Sequence, residues 1–135
     1  MSLVTMRDVK IDASGKVLGR LATEVAKLLM GKGSATFDYS KPGDTRVIIS
    51  NTDKLKVTGK KADQKLYRHH SGFHGGLKET VYKDLFARDS RLVLEKAVAG
   101  MLPKNKLRMV RMKRLVMHRG QEATSDKRQG TRNKK

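Results

Sequence analysis

The sequence predicts an α/β domain in which helices pack on a small sheet. Segments with strand and helix patterns follow one another in the order strand, helix, strands, helices, strand, which is typical of this class. The run Val47-Ile48-Ile49 is continuously β-branched, as in a strand that a parallel sheet buries on both faces. A chain of 135 residues has room for one such domain.

The first helix is the clearest element. Its apolar residues repeat at helical spacing over residues 17–30, Ser14 is placed to cap its start, and Gly31 is placed to end it. We interpret Gly19 as a small residue that lets this helix pack closely on the sheet. Before the helix, apolar and polar residues alternate over residues 8–12, which predicts a short strand.

The later elements are shorter and are separated by loops. Pro42-Gly43-Asp44 marks a loop before the second strand, and the three glycines of residues 71–76 exclude regular structure there. Further strands are predicted at 55–57, 64–69 and 115–117, and further helices at 81–87, 90–102 and 107–112.

The last residues differ in composition from the domain. Residues 120–135 contain one hydrophobic residue, Ala123, among polar, basic and glycine residues. Such a segment cannot offset the entropy lost on ordering, so we expect a basic tail that is disordered unless RNA binds it. The sequence therefore divides into a domain at residues 1–119 and a tail at residues 120–135.

Positive charge dominates the composition. Lys and Arg number 31 against 13 Asp and Glu, which gives a formal net charge of +18 at pH 7 and a pI of about 10.5. An excess of this size favours a polyanionic partner, because compacting like charges is costly unless phosphates neutralise them. A soluble protein with a merely positive surface is the alternative.

Several other classes are disfavoured by what the sequence lacks. It has no Cys, which excludes disulfides, thiolate zinc sites and Cys nucleophiles. No apolar stretch is typical of a signal peptide or a membrane span, so we expect a cytoplasmic protein with no membrane partner. No nucleophile elbow or carboxylate pair suits catalysis, so we expect neither an enzyme nor a small-molecule substrate.

Residues 103–121 carry seven bases and no acid. Apolar residues are interleaved with them, so the segment can anchor to the core while its bases project outward to phosphates. A solvated basic helix is the alternative, although a solvated face normally mixes both signs of charge. The candidate phosphate-binding residues are Lys104, Lys106, Arg108, Arg111, Lys113, Arg114 and Arg119.

A second candidate surface combines glycine, histidine and basic residues. Glycines let a backbone approach sugar-phosphate closely, and His, Tyr, Phe and Arg planes can stack on unpaired bases. Tyr67 and Phe73 could instead belong to the core, and the sequence leaves this choice open. The histidines lack the spacing of a zinc site, so we expect no metal. The candidate residues are Lys60, Lys61, Lys65, Arg68, His69, His70, Ser71 and His74.

The start of the first helix is a third candidate. Gly15-Lys16 follows a strand and precedes a helix, where backbone N–H groups and the helix dipole attract anions. Arg20 is placed for a contact with backbone phosphate. The P-loop pattern fails, because Val17 follows Lys16 where that pattern needs Ser or Thr, so we expect no nucleotide cofactor.

Five segments resemble, in the same order, the motifs of one known family. They are KIDASGKVLGRLATEVAKLLMGK at 10–32, VTGKK at 57–61, YRHHSG at 67–72, GGLK at 75–78 and EKAVAGMLPKN at 95–105. Together they resemble the bacterial-type ribosomal protein L13 family, also called universal large-subunit protein thirteen. The resemblance covers residues 8–119, and it is specific because several ordered motifs agree.

The resemblance implies a single three-layer α/β/α domain with a mostly parallel sheet of about four strands. It implies a structural protein of the ribosome that binds large-subunit rRNA beside neighbouring large-subunit proteins and supports early subunit assembly and translation. A nucleic-acid-binding regulator outside the ribosome is the alternative, although 107–112 is short for a recognition helix. Carried onto this sequence, the resemblance points to Lys60, Lys61, Arg68, His69, His70, Ser71 and the corner at 101–105, which includes Lys104 and Asn105.

Overall fold

The computed structural model of the chain describes residues 6–121. The expected disorder of the tail at 120–135 therefore lies outside the described residues, apart from Gly120 and Gln121. A 3-10 turn at Thr52–Lys54 follows the second strand. The strands are β1 (Arg7–Asp12), β2 (Thr45–Ser50), β3 (Leu66–His70), β4 (Leu77–Val81) and β5 (Leu115–Met117), and the helices are α1 (Leu18–Met30), α2 (Lys61–Gln64), α3 (Tyr82–Arg88), α4 (Ser90–Met101) and α5 (Lys106–Lys113).

A parallel sheet in the order β1-β2-β5 organises the domain. Val9, Val47 and Leu115 lie side by side in its register, so they share one face, and the main apolar core lies on that face. On the opposite face Ile48 is also buried, but outside the main core, while Lys10 is exposed. The predicted α/β class and the small, mostly parallel sheet are confirmed.

The central sheet differs in one detail from the expected arrangement. The strand predicted at 55–57 is reduced to a single parallel bridge between Val17 and Lys56. Within residues 6–121 the parallel sheet therefore has three strands, where the resemblance implies about four. The buried run of β2 is as predicted, because both Val47 and Ile48 are covered.

The helices α1 and α4 supply most of the core. Leu21, Val25 and Leu29 form the buried stripe of α1, which packs on β2 and against α4. Leu94 and Val98 of α4 are fully buried in the same cluster. Each such side chain stabilises the fold by about 1.5–3 kcal/mol relative to an exposed position. The periodicity of the sequence therefore identified the correct faces.

The start of α1 differs from the prediction, while its end agrees. Val17 occupies the cap position and Ser14 caps nothing there, because the bridge to Lys56 keeps the chain extended until Val17. The Leu18 N–H donates instead to the Lys56 carbonyl at 2.9 Å. Gly31 ends the helix with φ +78° and donates to Leu28, as a left-handed C-terminal glycine does.

A β-hairpin formed by β3 and β4 stands apart from the central sheet. Only its first strand was predicted. Residues 71–76 close the hairpin, with the Gly76 N–H donating to the Phe73 carbonyl at 3.0 Å. A Cβ at position 76 would lie 2.9 Å from the Phe73 carbonyl oxygen and would also clash with Ser71 Oγ, so this turn favours glycine. The glycine-rich segment is therefore the tight end of a hairpin.

We expect Gly43→Ala to lower the free energy of unfolding by about 2 kcal/mol. Gly43 has φ +83°, and an added Cβ would lie 3.1 Å from the Leu29 carbonyl oxygen, so backbone strain and crowding act together. Urea unfolding would measure the loss. Gly33→Ala is the matched control, because Gly33 has ordinary φ and open space around it. Equal stability of the two variants would contradict the argument.

Candidate nucleic-acid interface

The tip of the hairpin presents an exposed aromatic ring among histidines. Phe73 is 79% exposed, so it does not belong to the core. Tyr67, at the base of the hairpin, is half-buried and packs against the core. The sequence left open whether these two rings belong to the core. The structure places Tyr67 against the core and Phe73 in solvent. The Phe73 face is free for stacking on an unpaired base.

Hydrogen bonds shape the histidine side of this hairpin. The Gly72 N–H donates to His70 Nδ1 at 2.9 Å, so the exposed His70 ring lies against the turn. Arg68 Nε lies 2.9 Å from Glu79 Oε1 on the paired strand. This exposed ion pair holds the guanidinium along the hairpin and offsets part of its charge. His69, His70, Ser71 and His74 are all exposed.

The corner between α4 and α5 gathers a second set of bases. Pro103 ends α4, and Asn105 precedes α5 in extended conformation, so the chain turns sharply here. Lys104, Asn105 and Lys106 are exposed at this turn. The half-buried Arg108 forms a shallow cleft with Lys104, Asn105 and Met109. Lys113 is exposed at the far end of α5. No acid lies in this segment.

Two arginines of the basic segment face inward. Arg111 is 2% exposed and donates from Nη2 to the Lys41 carbonyl at 3.0 Å. Arg114 Nη1 donates to the carbonyls of Pro42 at 3.3 Å and of Gly43. The prediction that all these bases project outward is therefore wrong for Arg111, whose side chain fills core volume. Arg111 and Arg114 hold the 41–43 loop in place and do not belong to the candidate surface.

Burial also affects the charge state of this arginine. The pKa of Arg111 is lowered by desolvation and by the neighbouring Arg114 charge. Arg111 Nε has no hydrogen-bond partner within residues 6–121. The pKa of Tyr82 is raised to about 12 by its burial, and then by nearby Tyr67. These groups belong to the core, and none of them forms an acid–base pair suited to catalysis.

The chain after β5 is fixed to the turn that follows β2. The backbone N–H groups of Asn51 and Thr52 donate to the carbonyls of Gly120 and His118, at 2.8 and 3.2 Å. Arg119 Nε lies 3.2 Å from Asp53 Oδ1, and Ser90 Oγ donates to the same oxygen. Arg119 is therefore exposed but partly neutralised by Asp53.

The start of α1 carries two exposed bases, Lys16 and Arg20. Lys16 Nζ lies 3.8 Å from Glu24 Oε2, a distance at the limit of an ion pair. Asp12, the last residue of β1, has a pKa lowered to about 2 by hydrogen bonds from the Asn51 side chain and the Ser14 backbone. The start of α1 thus presents two exposed bases, of which Lys16 has an acidic neighbour on this helix.

The interpretation of Gly19 as a close-packing residue is wrong. A Cβ on Gly19 would meet no heavy atom within 4 Å. The same holds for Gly100, near the end of α4. Both glycines face open space that the exposed residues Lys61 and Lys65 of the short α2 region also line. A lysine that the sequence did not single out, Lys96 of α4, lies beside the same space.

The described part of the chain supports neither a metal site nor a membrane-spanning helix. Residues 6–121 contain no group of His, Cys, Asp or Glu side chains able to hold a metal ion. In the same range, no helix combines the length and apolar character required to cross a membrane. What the surface does offer is exposed Lys, Arg and His side chains on loops and helix ends.

Fold and surface together define a small, basic α/β domain with the features of a nucleic-acid-binding protein. Its sequence matches the family model for ribosomal protein L13 over residues 7–124. The chain belongs to the ribosomal protein L13 family, as the ordered motifs predicted. The family consists of ribosomal proteins, so the expectation that the chain is not an enzyme is confirmed.

Relatives in this family are similar over most of their length. The large ribosomal subunit protein uL13 of Clostridioides difficile is 49% identical over 114 residues, which cover 84% of this chain and 80% of the relative. The uL13 of Agathobacter rectalis is 53% identical over 97 residues, 72% of this chain and 68% of its own. The uL13 of Alcanivorax borkumensis is 45% identical over 112 residues, 83% of this chain and 79% of its own.

Proposed function

We propose that this protein is a structural constituent of the large ribosomal subunit that binds large-subunit rRNA. The observation that carries the proposal is the set of exposed bases on the hairpin, the α4–α5 corner and the α2 region. The relatives bear the name of the large subunit, which supplies the setting. Phosphates would neutralise charges that the folded protein otherwise leaves to solvent.

The proposed contacts are of two kinds, contacts with phosphate and stacking on bases. Lysines and arginines at the corner and α2 would hold phosphates, and these contacts fix position rather than sequence. The hairpin tip, with Phe73 and His74, would read an unpaired segment by stacking. The proposed residues are Lys16, Arg20, Lys60, Lys61, Lys65, Arg68, His69, His70, Ser71, His74, Lys104, Asn105, Lys106, Arg108, Lys113 and Arg119.

We also propose where this protein binds rRNA and at what stage of assembly it does so. The protein would act in the cytoplasm within the ribosome, beside neighbouring large-subunit proteins. Binding early in subunit assembly would give the rRNA a rigid α/β domain against which to fold. The protein needs no cofactor and no small-molecule substrate for this role.

We expect the affinity for large-subunit rRNA to fall steeply as salt rises. Each phosphate neutralised releases counterions, so the log–log slope should be about −0.7 to −0.9 per contact and several units in total. Filter binding of in vitro transcribed large-subunit rRNA at several salt concentrations, from about 50 to about 200 mM, measures this slope. An affinity independent of salt would contradict the proposal.

A DNA-binding regulator fits the structure less well. The helix α5 would have to read a groove, but it spans only Lys106–Lys113 and its Arg111 is buried. Competition between duplex DNA and structured rRNA separates the two functions. Displacement of rRNA by an equal mass of duplex DNA would favour the regulator.

A further inference from the structure

A groove lies between the base of the hairpin and the α4–α5 corner. It has a volume of about 340 Å³, within the range of clefts that hold small ligands. Its walls are the start of α1, residues 57–65 and the last turn of α4. The helices α1 and α4 pack against each other, and Thr23 Oγ1 of α1 lies 3.4 Å from Met101 Sδ at the end of α4. The groove is thus held open by packed helices.

Lysines stand at the rim of this groove, while its floor is mostly apolar. Val57, Leu18 and Ala97 line the floor. Lys65 Nζ and Lys96 Nζ each lie 5.4 Å from the centre of the Tyr67 ring, so one ring gathers two ammonium groups. Lys61 lines the groove as well. None of the three belongs to an ion pair within residues 6–121.

The two glycines beside the groove add an independent observation. Gly19 and Gly100 lie in helices, where glycine is less stable than alanine. Neither has positive φ, and an added Cβ on either would meet nothing within 4 Å. Within residues 6–121, then, neither backbone conformation nor packing requires glycine here. Their absent side chains leave both helix backbones open to a partner that approaches closely.

We propose that this groove receives one unstacked nucleotide of the bound RNA. The base would lie on the apolar floor between Gly19 and Gly100, and the flanking phosphates would lie against Lys61, Lys65 and Lys96. Apolar contact and positive charge side by side match a nucleotide, which combines a flat ring with an anionic backbone. The inference rests on the proposed function and adds to it a subsite and a further residue, Lys96.

An acidic peptide of a neighbouring protein is the competing occupant. The position of the groove argues for RNA instead, because Lys65, which leads into the proposed RNA-binding hairpin, and Met101, which leads into the corner, both line it. The chain as a whole carries a formal charge of +18, which also favours a polyanion over a peptide with a few acids.

Filling the groove without changing its charge gives the first test. We expect Gly100→Leu to weaken binding of in vitro transcribed large-subunit rRNA about tenfold with the salt slope unchanged, and Lys96→Gln to reduce the slope by about one unit. Gly33→Leu, outside the groove, is the matched control for bulk. A melting temperature at least as high as that of the parent shows that Gly100→Leu folds, because leucine favours a helix more than glycine does. Full affinity in Gly100→Leu would overturn the subsite.

Crosslinking gives the second test and names the occupant. The chain has no Cys, so Thr58→Cys at the groove rim and Ala87→Cys on the exposed side of α3 can each carry one photoreactive group. In the reconstituted large subunit we expect the probe at 58 to link to an unpaired nucleotide that the probe at 87 does not reach. Linkage at 58 to a protein, or only to paired nucleotides, would overturn the inference.

The two proposals fail in different ways. If the parent protein binds large-subunit rRNA with steep salt dependence while Gly100→Leu and Lys96→Gln bind equally well, only the groove inference is wrong. If the parent protein itself does not bind rRNA, the proposed function is wrong and the groove inference with it.

Discussion

Leu94→Ala should lower the free energy of unfolding by about 3–4 kcal/mol. Leu94 is fully buried in α4, within the cluster that joins α1, α3 and the sheet. The substitution removes apolar contact and leaves a cavity that packed helices cannot close completely. A domain of this size is stable by only about 5–15 kcal/mol, so the loss is a large share of the total.

Urea unfolding followed by circular dichroism measures this change. Leu92→Ala is the matched control, because Leu92 lies on the same helix and is 36% exposed. We expect the control to lose about 1 kcal/mol or less. Equal losses in the two variants would show that the core does not lie where α4 meets α1.

The double variant Lys104→Gln and Lys106→Gln should bind large-subunit rRNA roughly 100-fold more weakly at low salt. Both lysines are exposed at the α4–α5 corner, where no acid neutralises them. A hydrogen bond to a charged group is worth about 1.5 kcal/mol or more, which corresponds to roughly tenfold in affinity per lysine. The log–log salt slope should fall by about two units.

Affinity measured at several salt concentrations tests this prediction. Lys32→Gln with Lys83→Gln is the matched control, since it removes the same charge from exposed positions outside the proposed surface. A uniform effect of net charge would weaken both double variants equally. That result would mean that the corner makes no specific contact with phosphate.

The periodicity of the sequence predicted the elements that local pattern determines. The helices α1 and α4 carry apolar residues at helical spacing, and the strand β2 carries the continuous β-branched run Val47-Ile48-Ile49. β4 was missed, because its Leu77 is exposed and its pairing with β3 depends on a turn. The cap of α1 was misplaced for a similar reason, since the bridge from Val17 to Lys56 joins distant parts of the chain.

The candidate site likewise has features that local sequence predicts and features that depend on contacts distant in the chain. The segments that form the hairpin tip and the corner could be found from composition, because lysines, arginines, histidines and glycines cluster there along the chain. Sequence could not separate Arg111 from its exposed neighbours, since its burial depends on a contact with the distant Lys41. Lys96 could not be singled out from the sequence, because it follows Glu95 in a predicted helix and such mixed charges are typical of a solvated face.

The hairpin also matters to the protein before it meets RNA. Its two strands pair with each other and not with the central sheet, and Phe73 and Leu77 are 79% and 55% exposed at its end. Exposed apolar groups on a two-stranded ribbon invite self-association between free copies. Repulsion between positively charged copies opposes this, so free protein should stay monomeric in dilute salt and aggregate as screening increases. If the hairpin binds RNA as proposed, the positive charge would keep the free protein soluble until the RNA covers these apolar side chains.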